Sequence, residues 1–275
     1  MATKKTAEDG GQRAVQSVEV GGRLLLALSE RREPMALKDL AAAADLSPAR
    51  AHHYLVSFGK LRLVEQEPHT GRYGLGPAAL QIGLSCLHQL DPIRAAEPVA
   101  EALAERTGYA VALAVWGNFG PTIVRMIEAR QPLLVAMRAG TVMSVFGTAT
   151  GRAFAAALPQ ERIARAVQGA LGDEPAAGRK LSRAELDALA QSREDLRLHG
   201  VVRAEGRPIP SVSAFSAPAL DHAGTPALVI TALGHQDDFS TAWDSEPAAQ
   251  VRAAAAEISM RLGWAGDPAA RVKPV

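Results

Sequence analysis

Apolar residues recur along the first part of the chain at helical spacing. Val20, Leu24, Leu25 and Leu28 fall three to four positions apart, which predicts a helix over residues 15–31 with one buried face. Pro34 ends it, because proline cannot donate to the helical ladder. A second, short helix is expected from about Ala36, with Leu37, Leu40, Ala41 and Ala44 on one side and Lys38 and Asp39 pointing away. Asp45 and Leu46 form a turn. Ser47-Pro48 is a strong helix start, since the serine hydroxyl can accept a free amide and proline suits the first helical position. Along this third helix Ala51, Leu55 and Phe58 pack inward, leaving Ala49, Arg50, His52, His53 and Ser57 on the other faces. A strand is expected at 61–66, a turn at 67–71 and a return strand at 72–75.

Helical spacing resumes at 77–90, but Leu80, Ile82, Leu84 and Leu87 lie nearly all round, so burial on more than one side is expected, with a partner subunit as the cover. Asp91-Pro92 ends this helix, and an amphipathic helix over 92–107 is stopped by Gly108. Strand-like runs follow at 109–116, 122–127, 133–138, 201–205, 212–220 and 227–233. Helical patterns lie between and after them at 148–158, 159–171, 182–199 and 246–262. Strand-rich halves flanking helices indicate an α+β domain with one mostly antiparallel sheet. The expected organisation is a disordered arm at 1–14, a helix-and-hairpin domain at 15–76, a linker helix at 77–90, the α+β domain at 91–265 and a tail at 266–275. Residues 172–179 read as a loose loop.

Charge sharpens the reading of the first domain. The chain has 275 residues, enough for two cores, and a formal net charge of only +1. Within 47–64, however, Arg50, Lys60 and Arg62 stand against no acid. Two short helices, a turn, a cationic helix and a hairpin, in that order, are the layout of a winged helix-turn-helix, which lays one helix in the DNA major groove. Arg50, His52 and His53 are the candidate base contacts, with Lys38, Ser47 and Ala49 beside them. Arg62, and His69 and Arg72 at the hairpin, suit the phosphate backbone, where cations release condensed counterions. The competing reading of the cations is an ordinary solvated face. A dimerisation or ligand-binding module without sequence-specific DNA reading is the alternative at the level of the whole chain.

These residues resemble the isocitrate-lyase-regulator (IclR) family of bacterial transcription factors. The resemblance covers nearly the whole chain. It is carried by QSVEVGGRLLLAL at 16–28, LKDLAAAADLSPARAHHYLVSF at 37–58, LVEQEPHTGRYGLGPAALQIG at 63–83, FGTATGRAFAAALP at 146–159 and SAFSAPALDHAGTPALVITALG at 213–234. It implies a GAF-like C-terminal domain that binds a small-molecule effector, a homodimer through the N-terminal domains or a homotetramer through the C-terminal ones, and an inverted-repeat double-stranded operator. Departures from the pattern are specific. Ala49-Arg50-Ala51 replaces the usual Lys-Ser-Thr run, Tyr54 stands where Arg is common, and Arg62 stands near where a glycine normally precedes the wing strand.

For the effector, the turn at 144–151 is the first candidate, because Phe146, Gly147, Thr148, Ala149 and Thr150 lead into a helix whose first amides are free to face an anion. An ordinary glycine-rich helix start is the plain alternative. The resemblance adds polar groups around the strand at 210–217. Here these are Arg203, Glu205 and Arg207 upstream and Ser211, Ser213 and Ser216 within, with Ala214 at the usual cysteine and Ser211 at the usual glycine. Arginine binds carboxylates bidentately, so Arg207 points to a carboxylate effector, with Phe146 or Phe215 packing on its apolar part. A solvated loop is the alternative for Arg203 and Arg207.

Other classes find little support. There is no GxSxG elbow, HExxH, P-loop or zinc-spaced Cys/His cluster. GLGPAA at 74–79 follows a polar hairpin arm instead of a buried parallel strand, so it fails as a dinucleotide loop. His52 and His53 are adjacent on a helix and diverge by about 100°, which does not suit one metal ion. No cofactor or metal is expected. The single Cys86 is expected to be a buried structural thiol. The first twelve residues lack an apolar signal core, and no run approaches about 18 apolar residues, so a cytoplasmic protein is expected.

Overall fold

The computed structural model describes residues 15–31, 33–128, 130, 137–169, 180–206 and 208–266. The expected arm at 1–14, the residues from 267 onward, the loop at 172–179, most of the strand expected at 133–138, and Arg207 lie outside the described residues. The chain divides into two compact units between Gln89 and Leu90.

The first unit contains α1 (Gln16–Arg31), α2 (Leu37–Ala43), α3 (Pro48–Lys60), β1 (Val64–Gln66), β2 (Tyr73–Leu75) and α4 (Pro77–Gln89). Leu24 and Leu28 of α1, Leu40 and Ala41 of α2, Ala51 and Leu55 of α3, and Val64 and Tyr73 of the hairpin share one core with Met35. Met35 and Tyr73 exchange two backbone hydrogen bonds of 2.9 and 2.8 Å, so the segment before α2 is stitched to the hairpin. Helix α1 approaches α3 through Gly21, where a β-carbon would stand 2.9 Å from the Phe58 ring.

Both hairpin strand starts and the expected burial of Cys86 are corrected in this unit. The first hairpin strand begins at Val64 instead of 61, because Arg62 has φ +57°, which breaks the extended path; the return strand begins at Tyr73. No residue of α4 is buried in the chain, and Leu80 and Ile82 are 64 and 62 % exposed. Cys86 is exposed, because the helix that carries it contributes to no core.

The second unit contains α5 (Pro92–Thr107), β3 (Ala110–Gly117), β4 (Gly120–Ile127), α6 (Ala149–Ala157), α7 (Gln160–Gly169), α8 (Arg183–His199), β5 (Val202–Glu205), β6 (Val212–Leu220), β7 (Pro226–His235) and α9 (Glu246–Arg261). The strands form one sheet in the order β4-β3-β7-β6-β5, every pairing antiparallel. Helix α5 is well bounded: the Asp91 carboxylate accepts the Ile93 and Arg94 amides at 2.9 and 3.2 Å, and Gly108 closes it at φ +73°. Met137 and Arg138, the described end of the strand expected at 133–138, are not in strand.

Alternation along the strands gives the sheet two differently used faces. Val111, Leu113, Phe215, Ala217, Ile230 and Ala232 pack with Ala100 and Leu103 of α5 and Val251 and Ile258 of α9. On the other face Ala114, Val202 and Val229 pack with Phe154 of α6, Ile163 of α7 and Leu189 of α8. A cavity opens on this second face.

Candidate nucleic-acid interface and ligand cavity

Ser47 has extended backbone and its hydroxyl accepts the Arg50 amide at 3.4 Å, with Pro48 at the first helical position, so α3 starts where its cationic residues begin. Burial of Ala51 and Leu55 turns the opposite side of the helix outward. Ala49, Arg50, His52 and His53 are all exposed, as are Ser47 and, on α2, Lys38. None of Lys38, Arg50, His52, His53 or Arg62 forms an ion pair among the described residues. The hairpin tip carries exposed His69 and Arg72, and is held by the Thr70 hydroxyl donating to Glu67 Oε2 at 2.6 Å and the Gly71 amide donating to the Glu67 carbonyl at 2.9 Å. Arg72 Nη1 donates to the Pro34 carbonyl at 3.4 Å, which ties its guanidinium to the segment before α2. The sequence-predicted DNA residues are therefore all exposed on the helices, hairpin and turns of the first unit.

In the second unit Thr148 caps α6. Its hydroxyl accepts the Gly151 amide at 3.0 Å and donates to the Ser144 carbonyl at 2.8 Å, while the Gly147 amide donates to Ser144 Oγ at 3.1 Å. Gly151 must be glycine: a β-carbon would fall on the backbone of Ser144 and Val145. This turn brings Thr148, Ala149 and Thr150 to a cavity between α6 and the sheet. Its floor is the sheet row Ala112, Thr231 and Leu233 with Ala214 and Ala204, and Ile123, Met137, Met143, Ile209 and Val212 form its apolar walls.

The other expected effector residues are placed differently. Ser213, Phe215 and Glu205 lie on the opposite face of the sheet, because they alternate with Ala204, Val212 and Ala214 in strands of period two. Phe215 packs in the α5/α9 core, 5.8 Å from the Phe239 ring. Arg203 and Glu205 form an ion pair of 3.0 Å in a separate polar cleft, where the Arg203 guanidinium also lies 4.2 Å from the Trp243 ring centre and donates to the Thr241 carbonyl. Phe146 packs beside the α6 core instead of into the cavity, and Gly147 serves the cap.

Sequence reading missed Thr231, whose hydroxyl lies 2.9 Å from Thr150 Oγ1 and 2.7 Å from Ser216 Oγ. It also missed Arg152. This side chain donates to Asp195 at 2.8 Å, to the Arg203 carbonyl at 2.8 Å and to Ser192 Oγ at 3.3 Å, and so fastens α6 to α8 and β5. Their helical i, i+3 relation, Ser192 to Asp195 on one face of α8, was the available signal.

A winged helix-turn-helix unit followed by an α+β domain with a five-stranded antiparallel sheet defines the class. The description "Bacterial transcriptional regulator IclR C-terminal" matches residues 84–260, and "IclR helix-turn-helix domain" matches 17–68. The chain belongs to the IclR family of bacterial transcriptional regulators, a family of regulators and not of enzymes. It is similar to the crystal structure of Pseudomonas aeruginosa HmgR, with a TM-score of 0.82 and 31 % identity, covering 92 % of this chain and 100 % of that one. It is 31 % identical over 145 residues to a glycerol operon regulatory protein of Streptomyces griseus, an alignment spanning 52 % of this chain and 57 % of that protein. It is 25 % identical over 181 residues to the HTH-type transcriptional regulator XynR of Escherichia coli K12, over 66 and 72 % of the two chains. Among the described residues no helix is long and apolar enough to cross a membrane.

Proposed function

We propose that this protein is a cytoplasmic, effector-controlled regulator that binds an inverted-repeat operator as a homodimer or homotetramer. The observation that carries the reading is the outward face of α3, where Arg50, His52 and His53 stand exposed on a capped helix beside a hairpin tipped by His69 and Arg72. Arg50, His52 and His53 read base edges, assisted by Ala49 and Ser47 at the helix start, while Lys38, Arg62, His69 and Arg72 contact phosphates. The exposed Leu80, Ile82, Leu84 and Leu87 of α4 support a second copy as the cover for that helix, since an apolar surface of this kind favours association.

The effector, a small carboxylate, occupies the cavity beside Thr148, Ala149 and Thr150. Its binding biases the spacing of the paired recognition helices, and it can do so only by its differential affinity for the two arrangements. A fluorescence anisotropy titration against the intergenic DNA flanking the gene, at fixed salt with nonspecific competitor, tests the DNA reading. Competitor-resistant binding is expected; failure to retain any member of a genomic fragment pool overturns it.

A further inference from the structure

Helix α3 arranges its outward side chains in rows. With about 100° of turn per residue, burial of Ala51 and Leu55 sets Ala49, His53, Val56 and Lys60 in one row on the far side, all four exposed. Arg50, also exposed, lies one turn before His53 on the adjoining row, which ends in Ser57. The Arg50 amide serves the Ser47 cap, and the His53 carbonyl accepts from Ser57 Oγ at 3.2 Å. The Arg50 guanidinium and the His53 ring have no hydrogen-bond partner among the described residues, whereas Ser57 spends its proton within the helix.

The chemistry of these rows is one-sided. Helix α3 contains no Asn, Gln, Asp or Glu. In the major groove adenine is read bidentately by a side-chain amide, and the cytosine amino group needs a side-chain acceptor such as a carboxylate. Guanine is the base that shows two acceptors, O6 and N7, to a donor. Arginine is a donor only, and a histidine ring keeps a donor in both protonation states but loses its acceptor when protonated. Ala49 and Val56 bring only methyl groups to the row. Residues one turn apart have β-carbons about 5–6 Å apart, which spans one to two base steps of about 3.4 Å.

Resting on the DNA reading proposed above, we infer that α3 recognises two guanines in each half-site, no more than two base steps apart, one through Arg50 and the other through His53. These two side chains thereby become the specificity-determining residues of the helix.

The test selects duplexes with a random core on the full-length protein, sequences the enriched set and measures affinities by fluorescence anisotropy at fixed salt with nonspecific competitor. Each enriched half-site is expected to hold two G·C pairs at that spacing. Replacing either guanine by 7-deazaguanine, which keeps the base pair but lacks N7, should weaken binding about tenfold. R50A should erase the preference at one of the two pairs and H53A at the other, and each should make the 7-deaza substitution at its own pair harmless. Enriched half-sites specified by A·T pairs alone, tolerance of 7-deazaguanine at both positions, or an even loss across all sequences in both variants overturns the inference and leaves the DNA reading standing. If both variants lose all binding, the 7-deazaguanine series on the unaltered protein decides. Absence of any enrichment removes the DNA reading, and the inference with it.

Discussion

The carbonyl oxygen of Arg62 stands 2.5 Å from the point a β-carbon on Gly76 would occupy, so only glycine fits where β2 passes into α4. The same junction is closed by the Ala78 amide donating to Arg62 O at 3.0 Å and the Gly76 amide donating to Leu63 O at 2.8 Å. The end of α3, the wing and the start of the linker helix are thus one hydrogen-bonded piece. Gly76→Ala is expected to destabilise the N-terminal unit by about 1–3 kcal/mol through this overlap, read as a lowered first transition in thermal denaturation.

Arg62 holds a left-handed backbone at φ +57°, a conformation that costs an L-residue roughly 1–2 kcal/mol and glycine almost nothing. Arg62→Gly should therefore raise stability by about 1 kcal/mol while weakening DNA binding, with the salt slope of log K flattened by about one. Gain of stability with unchanged DNA affinity and salt slope would remove Arg62 from the phosphate contacts.

Arg50→Ala should weaken operator binding by about 1–3 kcal/mol and relax preference at one base position, leaving the melting of the α+β unit unchanged. A titration against operators substituted base by base distinguishes this from phosphate contact, which would lower affinity evenly across sequences.

Arg152 and Asp195 are largely buried, with 22 and 9 % of their side chains exposed, and Gln191 also donates to Asp195 at 2.7 Å. Removing one partner leaves the other charge buried, so Asp195→Ala should cost about 3 kcal/mol in chemical denaturation. The double replacement R152M/D195L should cost less than the sum of the single changes, because no unpaired charge remains.

Leu84→Glu on α4 should reduce self-association without lowering the stability of either unit, since Leu84 is exposed in the chain. Light scattering across a concentration series checks the first part and denaturation the second. An unchanged mass would remove α4 from the subunit contact.

The helices and most strands could be read in advance because their causes are local. Ser47-Pro48 and Asp91-Pro92 begin helices through bonds to residues two or three positions away, and the alternation from 212 to 220 is a property of consecutive side chains. The exposed cations of α3 were legible for the same reason: Ala51 and Leu55 fix which side faces out. Burial of Cys86 was misjudged because an all-round apolar helix says that something covers it, but not whether the cover belongs to the same chain. The sheet face was decided only in three dimensions. Alternation separates Ser213 and Phe215 from Ala214 and Ser216, yet which set meets the cavity depends on α5 and α9 packing one side while α6 packs the other. Thr231 became part of the site through strand register with Ser216 and through the seating of α6, contacts 15 and 81 residues apart in sequence. No pattern within a strand encodes such a meeting, because it is fixed by how the sheet and helices jointly fill space.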